Sequence, residues 1–300
     1  MKFTSFLLIL SLLPFSCQNL PFSKGIADDS IDFSLPGAFT SGIEGPAADS
    51  NGNIYVVNYG QEGTIGKVRK DGKSELFVNL PEGSIGNGIR INKKGNLFVA
   101  DYMGHNILEI DVSSKAIEVY AHNDQMNQPN DLAIMKSGIL FASDPNWKEG
   151  TGNLWRINKD RTTIRLEENM GTTNGLEVSP DEKTLYVNQS VQRNVWAYDL
   201  SPEGNISNKR LFYTFPDHGM DGMRCDRKGN LYITRYGKGT VAILSPKGKL
   251  LKEVLLTGKK PSNITFGGAD GKTCFVTLQD RGCLESFRSP FPGREWQWAD

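Results

Sequence analysis

Six positions along the chain carry oxygen-bearing side chains in phase: Glu44, Asn87, Asn130, Asn174, Asp221, and Ser262 or Asn263. Gathered in one place, they would offer two carboxylates and several amide oxygens, with no thiolate and no imidazole. That donor set suits Ca²⁺, which takes roughly six to eight oxygens, with another divalent cation as the substitute. Zinc and copper would draw nitrogen or sulfur ligands instead. Two carboxylates balance a divalent charge; with nothing between them, Glu44 and Asp221 would repel each other. Asn and Asp are also ordinary turn residues, which suffices to explain any one of these positions. It does not explain six in phase with no aliphatic residue among them.

The phase comes from a repeat. Ten to twelve residues after each position, a short β-forming run begins. The runs are Ile54-Tyr55-Val56-Val57, Leu97-Phe98-Val99-Ala100, Leu140-Phe141-Ala142, Leu185-Tyr186-Val187, Leu231-Tyr232-Ile233 and Cys274-Phe275-Val276. Their first residues lie 43, 43, 45, 46 and 43 apart. This period, made of short strands and turns without helical periodicity, is the size of a four-stranded propeller blade. The chain is therefore expected to be all-β, a six-bladed β-propeller with four-stranded blades. A β-sandwich would not repeat at this interval.

Within the second copy, strands are predicted at Asn87 to Ile91, Leu97 to Ala100, Ile107 to Asp111 and Ala116 to Tyr120. Gly and Asn turns part them. The sixth copy lacks a fourth strand, because Pro290 and Pro292 interrupt it. The extended stretch Ile31 to Leu35 is expected to supply that strand and close the ring. First strands of a propeller line its central channel, so the six oxygen-bearing positions should meet at one end of the axis. Second strands run back to the same face. Their ends carry Asp144 and Arg235, which with Asn87 are the candidate substrate contacts, Arg235 for an anionic group.

Composition narrows the partners. The chain has 34 basic and 34 acidic side chains and no net charge, so it lacks the basic surplus that nucleic acid requires. Glycine, 32 of 300 residues, stands above the usual ~7 % and points to many tight turns. Residues 1–17 read as a signal peptide, with Met1-Lys2 ahead of an apolar run from Phe3 to Phe15. The run is too short to span a bilayer, which needs about 20 residues. Ser16 before Cys17 fits a lipoprotein-type leader, with Cys17 lipidated. The expected location is outside the cytoplasm, periplasmic or membrane-anchored, and that lipid is the one membrane contact expected. Residues 18–37 would be a linker carrying the closing strand, and residues 38–300 one propeller domain. Cys225, Cys274 and Cys283 do not make a disulfide framework. Cys274 and Cys283 should lie on neighbouring strands, either as buried thiols or as a cross-strand disulfide.

Five stretches together resemble the regucalcin/gluconolactonase family of calcium-dependent six-bladed propellers, related to diisopropyl fluorophosphatase and paraoxonase. They are Glu44-Gly45-Pro46-Ala47-Ala48-Asp49, Pro129-Asn130-Asp131-Leu132 with Ser143-Asp144-Pro145, Thr173-Asn174-Gly175-Leu176 with Ser179-Pro180-Asp181, Asp221-Gly222-Met223, and the recurring Gly-Asn-Leu turns. The resemblance implies a metal site of Glu44, Asn130, Asn174 and Asp221, with Asp221 as catalytic base or nucleophile. It implies hydrolysis of a lactone or related ester, with a small molecule as the substrate. Three positions depart from the pattern. Gln128 stands where a sugar-binding Arg is usual, Asn87 where paraoxonases carry a His, and Arg224 where a second calcium would need an Asp.

Two functions follow. The first is a metal-dependent hydrolase, in which the cation polarises the carbonyl and a water or Asp221 attacks. The alternative is a non-enzymatic, surface-anchored scaffold with a structural axial calcium. An open pocket above the ring favours the enzyme and a packed lid the scaffold. The excursion from Pro145 to Gly152 would form wall or lid.

Overall fold

The computed structural model describes residues 29–295. The leader-type segment, residues 1–17, lies outside them. Six sheets of four antiparallel strands stand in a ring, and among the described residues no helix interrupts them. The second blade shows the general plan, with strands Gly86–Ile91, Leu97–Asp101, Asn106–Ile110 and Ile117–His122 from axis to rim. Each lies within two residues of its expected place.

Strand alternation glues the ring together. Successive side chains of a strand point to opposite faces of its sheet, and here each face meets a different neighbour. Leu97 and Val99 pack with Tyr55 and Val57 of blade 1, whereas Phe98 and Ala100 pack with Leu132 and Ala142 of blade 3. The same division gives six apolar clusters, one at every junction between blades. This is why the repeated runs are apolar at consecutive positions rather than at alternate ones.

The ring closes with a strand from the other end of the chain. Ile31–Asp32 pairs antiparallel with Cys283–Arg288 as the outermost strand of blade 6. It is shorter than the expected Ile31 to Leu35. The amides of Phe33 and Ser34 both donate to the Leu284 carbonyl, at 2.9 and 3.2 Å, which ends the ladder. Arg281 clamps the strand through both oxygens of Asp32. Cys274 and Cys283 lie on neighbouring strands, buried and unbonded. The register sets them opposite Phe287 and Leu278 rather than each other.

Candidate functional site

The innermost strands crowd at the axis, and glycine makes the crowding possible. Gly45, Gly88, Gly175 and Gly222 each follow a ring residue. A Cβ on Gly45 would stand 2.0 Å from the carbonyl oxygen of Asn87, and Gly45 also has φ +56°. A Cβ on Gly222 would strike the Asn263 side chain at 2.0 Å. Each glycine thus lets one blade lie against the ring residue of the next. Hydrogen bonds fix the contact, from Gly88 N–H to the Asn130 carbonyl at 2.8 Å and from Gly222 N–H to the Ser262 carbonyl at 2.7 Å.

Glu44, Asn87, Asn130, Asn174 and Asp221 all line one open cavity of about 750 Å³ at this end of the axis. The sixth position does not. Ser262 donates to the Ile43 carbonyl at 2.8 Å across the ring closure, and Asn263 supports the Glu44 carboxyl by a hydrogen bond from below. Blade 6 therefore contributes support rather than a ligand.

Two oxygens at the cavity floor stand out. Asn130 Oδ1 and Asn174 Oδ1 are buried and accept no hydrogen bond. The Asn174 amide is oriented by its neighbour, since its Nδ2 donates to Ser190 Oγ at 3.0 Å while Ser190 donates to the Met220 carbonyl. Beside these oxygens are two carboxyls of abnormal proton affinity. Burial, reinforced by the charge of Asp131, pushes Glu44 up to about 7, against the Gly45 N–H that donates to its Oε2 at 2.7 Å. Burial and the adjacent Glu44 charge raise Asp221 well above the ordinary carboxylate range. A buried acceptor without a partner is costly, and two carboxyls forced together hold protons they would otherwise release. An oxygen-liganded divalent cation at this point would answer both features, so the residues fit one.

Beneath the ring lies a second constellation that sequence reasoning missed. Arg90 donates to Asp131 Oδ1 at 3.0 Å, and Arg224 approaches Asp131 Oδ2 at 3.6 Å. Farther down, Arg294 meets Glu177 at 3.1 Å. All five side chains are almost wholly buried. Phase was the available signal. Asp131 stands where the other ring residues are followed by glycine, and Arg90, Glu177 and Arg224 each lie three residues past a ring position.

The structure corrects two of the expected substrate contacts, Asp144 and Arg235. Asp144 lies outside the cavity, because its two oxygens are already occupied. Oδ1 accepts the amides of Asn127 and Gln128 at 2.8 and 2.6 Å, and Oδ2 accepts Trp155 Nε1 at 2.8 Å and Asn153 Nδ2 at 3.1 Å. Arg235 is likewise turned to framework use. It donates to Asp217 and to Glu253 Oε1 at 3.2 Å, and its guanidinium lies 3.6 Å from the Phe215 ring centroid. Neither side chain is placed to hold substrate. Both sit one strand out from the axis, and their polar groups pin the loops of this face instead.

Those loops form the cavity wall. The turn after the second strand of each blade supplies one side chain or more: Glu62, Met103, Trp147, Val191, Tyr236 and Gln279 in blade order. The excursion at Pro145 to Gly152 contributes Trp147 as wall, and the cavity stays open. Of the three histidines, His218 alone reaches the cavity. His105 is tied to the Met126 carbonyl through Nδ1 at 2.6 Å.

Comparison with known proteins agrees with this architecture. Residues 40–280 match the family model described as SMP-30/Gluconolactonase/LRE-like region. A gluconolactonase of Zymomonas mobilis is 28% identical over 270 residues, covering 78% of this chain and 75% of its own. A diisopropyl-fluorophosphatase of Loligo vulgaris is 27% identical over 288 residues, covering 85% and 89%. The crystal structure of a calcium-binding regucalcin from Agrobacterium tumefaciens superposes with a TM-score of 0.76 at 20% identity, covering 90% of this chain and 95% of that one. The fold is thus shared with solved propellers. With most of its length matched in order, from the blade 1 glutamate to the last repeat, this chain belongs to the SMP-30/gluconolactonase/LRE-like family.

Proposed function

We propose that this protein hydrolyses a lactone or related carboxylic ester, with its axial ring holding a divalent cation, Ca²⁺ before others. One observation carries the proposal: the orphaned oxygens of Asn130 and Asn174 face two proton-retaining carboxyls at the foot of an open cavity. Relatives named gluconolactonase and diisopropyl-fluorophosphatase support hydrolysis as the reaction class. A calcium-binding structural neighbour supports the choice of ion.

Glu44, Asn130, Asn174 and Asp221 would hold the cation. Bound there, it supplies a Lewis acid for the carbonyl oxygen and a counter-charge for the oxyanion. The chain's own groups do the rest. Ionised once the cation is held, Asp221 would accept a proton from an attacking water and pass it to the leaving oxygen as the acyl C–O bond breaks. Alternatively, it would attack the carbonyl carbon itself, displacing that oxygen to leave an acyl-enzyme that water then hydrolyses. Asn188 donates to the Asp221 carbonyl at 2.6 Å and so fixes the backbone that carries the base. Asn87, beside Asn130 in the lining, is the candidate for orienting the substrate's second oxygen. The open mouth, with Trp147 among the lining residues, favours this reading over a closed scaffold.

The test uses purified protein treated with chelator, then reloaded. Lactones, aryl esters and phosphotriesters are offered before and after. Turnover of a lactone or ester, lost on chelation and restored by Ca²⁺, is the expected result, with about one ion bound per chain by calorimetry. Undiminished turnover by the stripped protein would sink the metal. Inertness toward every lactone and ester, with the ion bound, would sink the enzyme.

A further inference from the structure

The cavity wall is not uniform around the axis, and its asymmetry speaks to the substrate. The same turn of each blade reaches the rim. Blades 2, 3 and 4 place Met103, Trp147 and Val191 there, whereas blades 1 and 6 place Glu62 and Gln279. Blade 5 places Tyr236, whose hydroxyl is 3.1 Å from Gln279 Oε1. Three neighbouring turns thus present an apolar side chain, with Arg193 beside Val191 at the blade 4 end of the arc, and the remaining turns are polar.

The apolar arc is exposed at a cost. Met103 is 51% exposed, Trp147 40% and Val191 66%, on three adjacent turns. Single exposed apolar residues need no explanation, but a contiguous group at a cavity mouth marks a binding surface. The arc is also built. The Tyr102 hydroxyl hydrogen-bonds to both Gln128 and Trp147, which ties the Trp147 indole to the neighbouring turn. Ile85 and Met220 carry the apolar lining down toward the polar floor. A polyhydroxylated ring against this arc would surrender water without gaining partners. An alkyl or aryl group would be sheltered there while its carbonyl met the floor.

We propose that the substrate is a lactone or ester bearing an alkyl or aryl substituent, seated with its carbonyl on the ring and its apolar tail across Met103, Trp147 and Val191. This rests on the hydrolase reading above for the reaction but not for the site. The occupant is a small molecule, since the arc lines the same cavity of about 750 Å³ as the ring.

The test is a series of δ-lactones with unbranched side chains from methyl to heptyl, with D-glucono-1,5-lactone as the polar comparison, on the calcium-loaded protein. kcat/KM is expected to rise about three- to fourfold per methylene over the first several carbons, from the value of burying one CH₂. A Met103→Ser/Val191→Ser double variant should lower the heptyl-to-methyl ratio about tenfold, and Val191→Leu should keep it. These side chains are exposed, so the fold does not depend on them. Equal rates along the series, preference for the gluconolactone, or an unmoved ratio in the double variant would each overturn the proposal.

Calorimetry with non-hydrolysable δ-lactams of the same chain lengths separates the two readings. Affinity that tightens with chain length without turnover of any lactone would keep the apolar site and remove the hydrolase. Turnover without any dependence of rate or affinity on length would do the reverse.

Discussion

The two ends of the axial channel are built from neighbouring residues of the same strands, yet they solve opposite problems. At the cavity end, Glu44, Asp221 and the orphaned oxygens of Asn130 and Asn174 are all acceptors or anions. At the other end, Arg90, Arg224 and Arg294 are interleaved with Asp131 and Glu177. Some polar atoms are without partners there too, among them Arg224 Nε and Nη2. Both signs of charge are present, however, and the space beside them is about 50 Å³ against about 750 Å³ above. The lower region satisfies its charge internally and needs at most a water or two. Arg193 lines the upper cavity, but the ring at its foot is made of acidic and amide groups alone, and a bound cation is the simplest way to balance it. One fold thus places a closed electrostatic plug beneath an open, incomplete site.

The strongest way to break this contrast is to remove the anions above. Asp221→Asn or Glu44→Gln is expected to lower kcat/KM by roughly 10²- to 10³-fold or more and to abolish calcium binding by calorimetry, while the chain stays folded. Either variant binding the ion normally would remove the upper site from the argument. The matching change below is Arg90→Met, which leaves Asp131 buried with one guanidinium fewer. It should cost about 3–5 kcal/mol, read as a lower urea midpoint, with far less effect on ion stoichiometry. A loss of calcium without a loss of stability would reverse the assignment of the two ends.

Much of this could be read from the sequence, and the reason is symmetry. Six copies in phase made blade number, strand order and the positions of Glu44, Asn87, Asn130, Asn174 and Asp221 derivable together, since a phase error would have displaced all of them. The same symmetry misled at Asp144 and Arg235. Phase says which residues share a level but not which way a side chain turns, and at a second strand the alternation carries it into a blade junction. Blade 6 broke the rule for another reason. It carries the ring closure, and Ser262 is committed to the Ile43 carbonyl across that join. The lower plug was hidden because its charges are far apart in sequence and look like ordinary surface residues singly.

Proton linkage sharpens the contrast further. Glu44 has its folded pKa raised from 4.5 to about 7, chiefly by burial, and Asp221 moves in the same direction. Between those two values the unfolded chain has released a proton that the ion-free native state still holds. Stability must then fall as pH rises through this window. In chelator, the urea midpoint should decline from pH 5 to 7.5, and Glu44→Gln should flatten the decline. Calcium should raise the midpoint more at pH 7.5 than at pH 5, because it competes with protons for the same carboxyls. Carboxyls held low, such as Asp270 at about 2 beside Arg288, act below this window and do not confuse it. A midpoint that rises from pH 5 to 7.5 in chelator would mean that the two carboxyls are not held buried without a counter-charge.

The smallest expected effect separates a used carboxylate from an unused one. Asp144 is as buried as Glu44, but four donors already occupy its oxygens. In Asp144→Asn one oxygen becomes an NH₂, which then faces N–H groups rather than acceptors. The cost should be about 1–3 kcal/mol, with the heat of calcium binding unchanged. Trp155, whose indole N–H donates to Asp144 at 2.8 Å, reports the change by fluorescence, although four further tryptophans share the signal. Burial alone therefore does not mark a ligand in this protein. What distinguishes Glu44 and Asp221 is that they stand beside each other and beside the unpartnered oxygens of Asn130 and Asn174, and an Asp144 variant that lost calcium would show that distinction to be false.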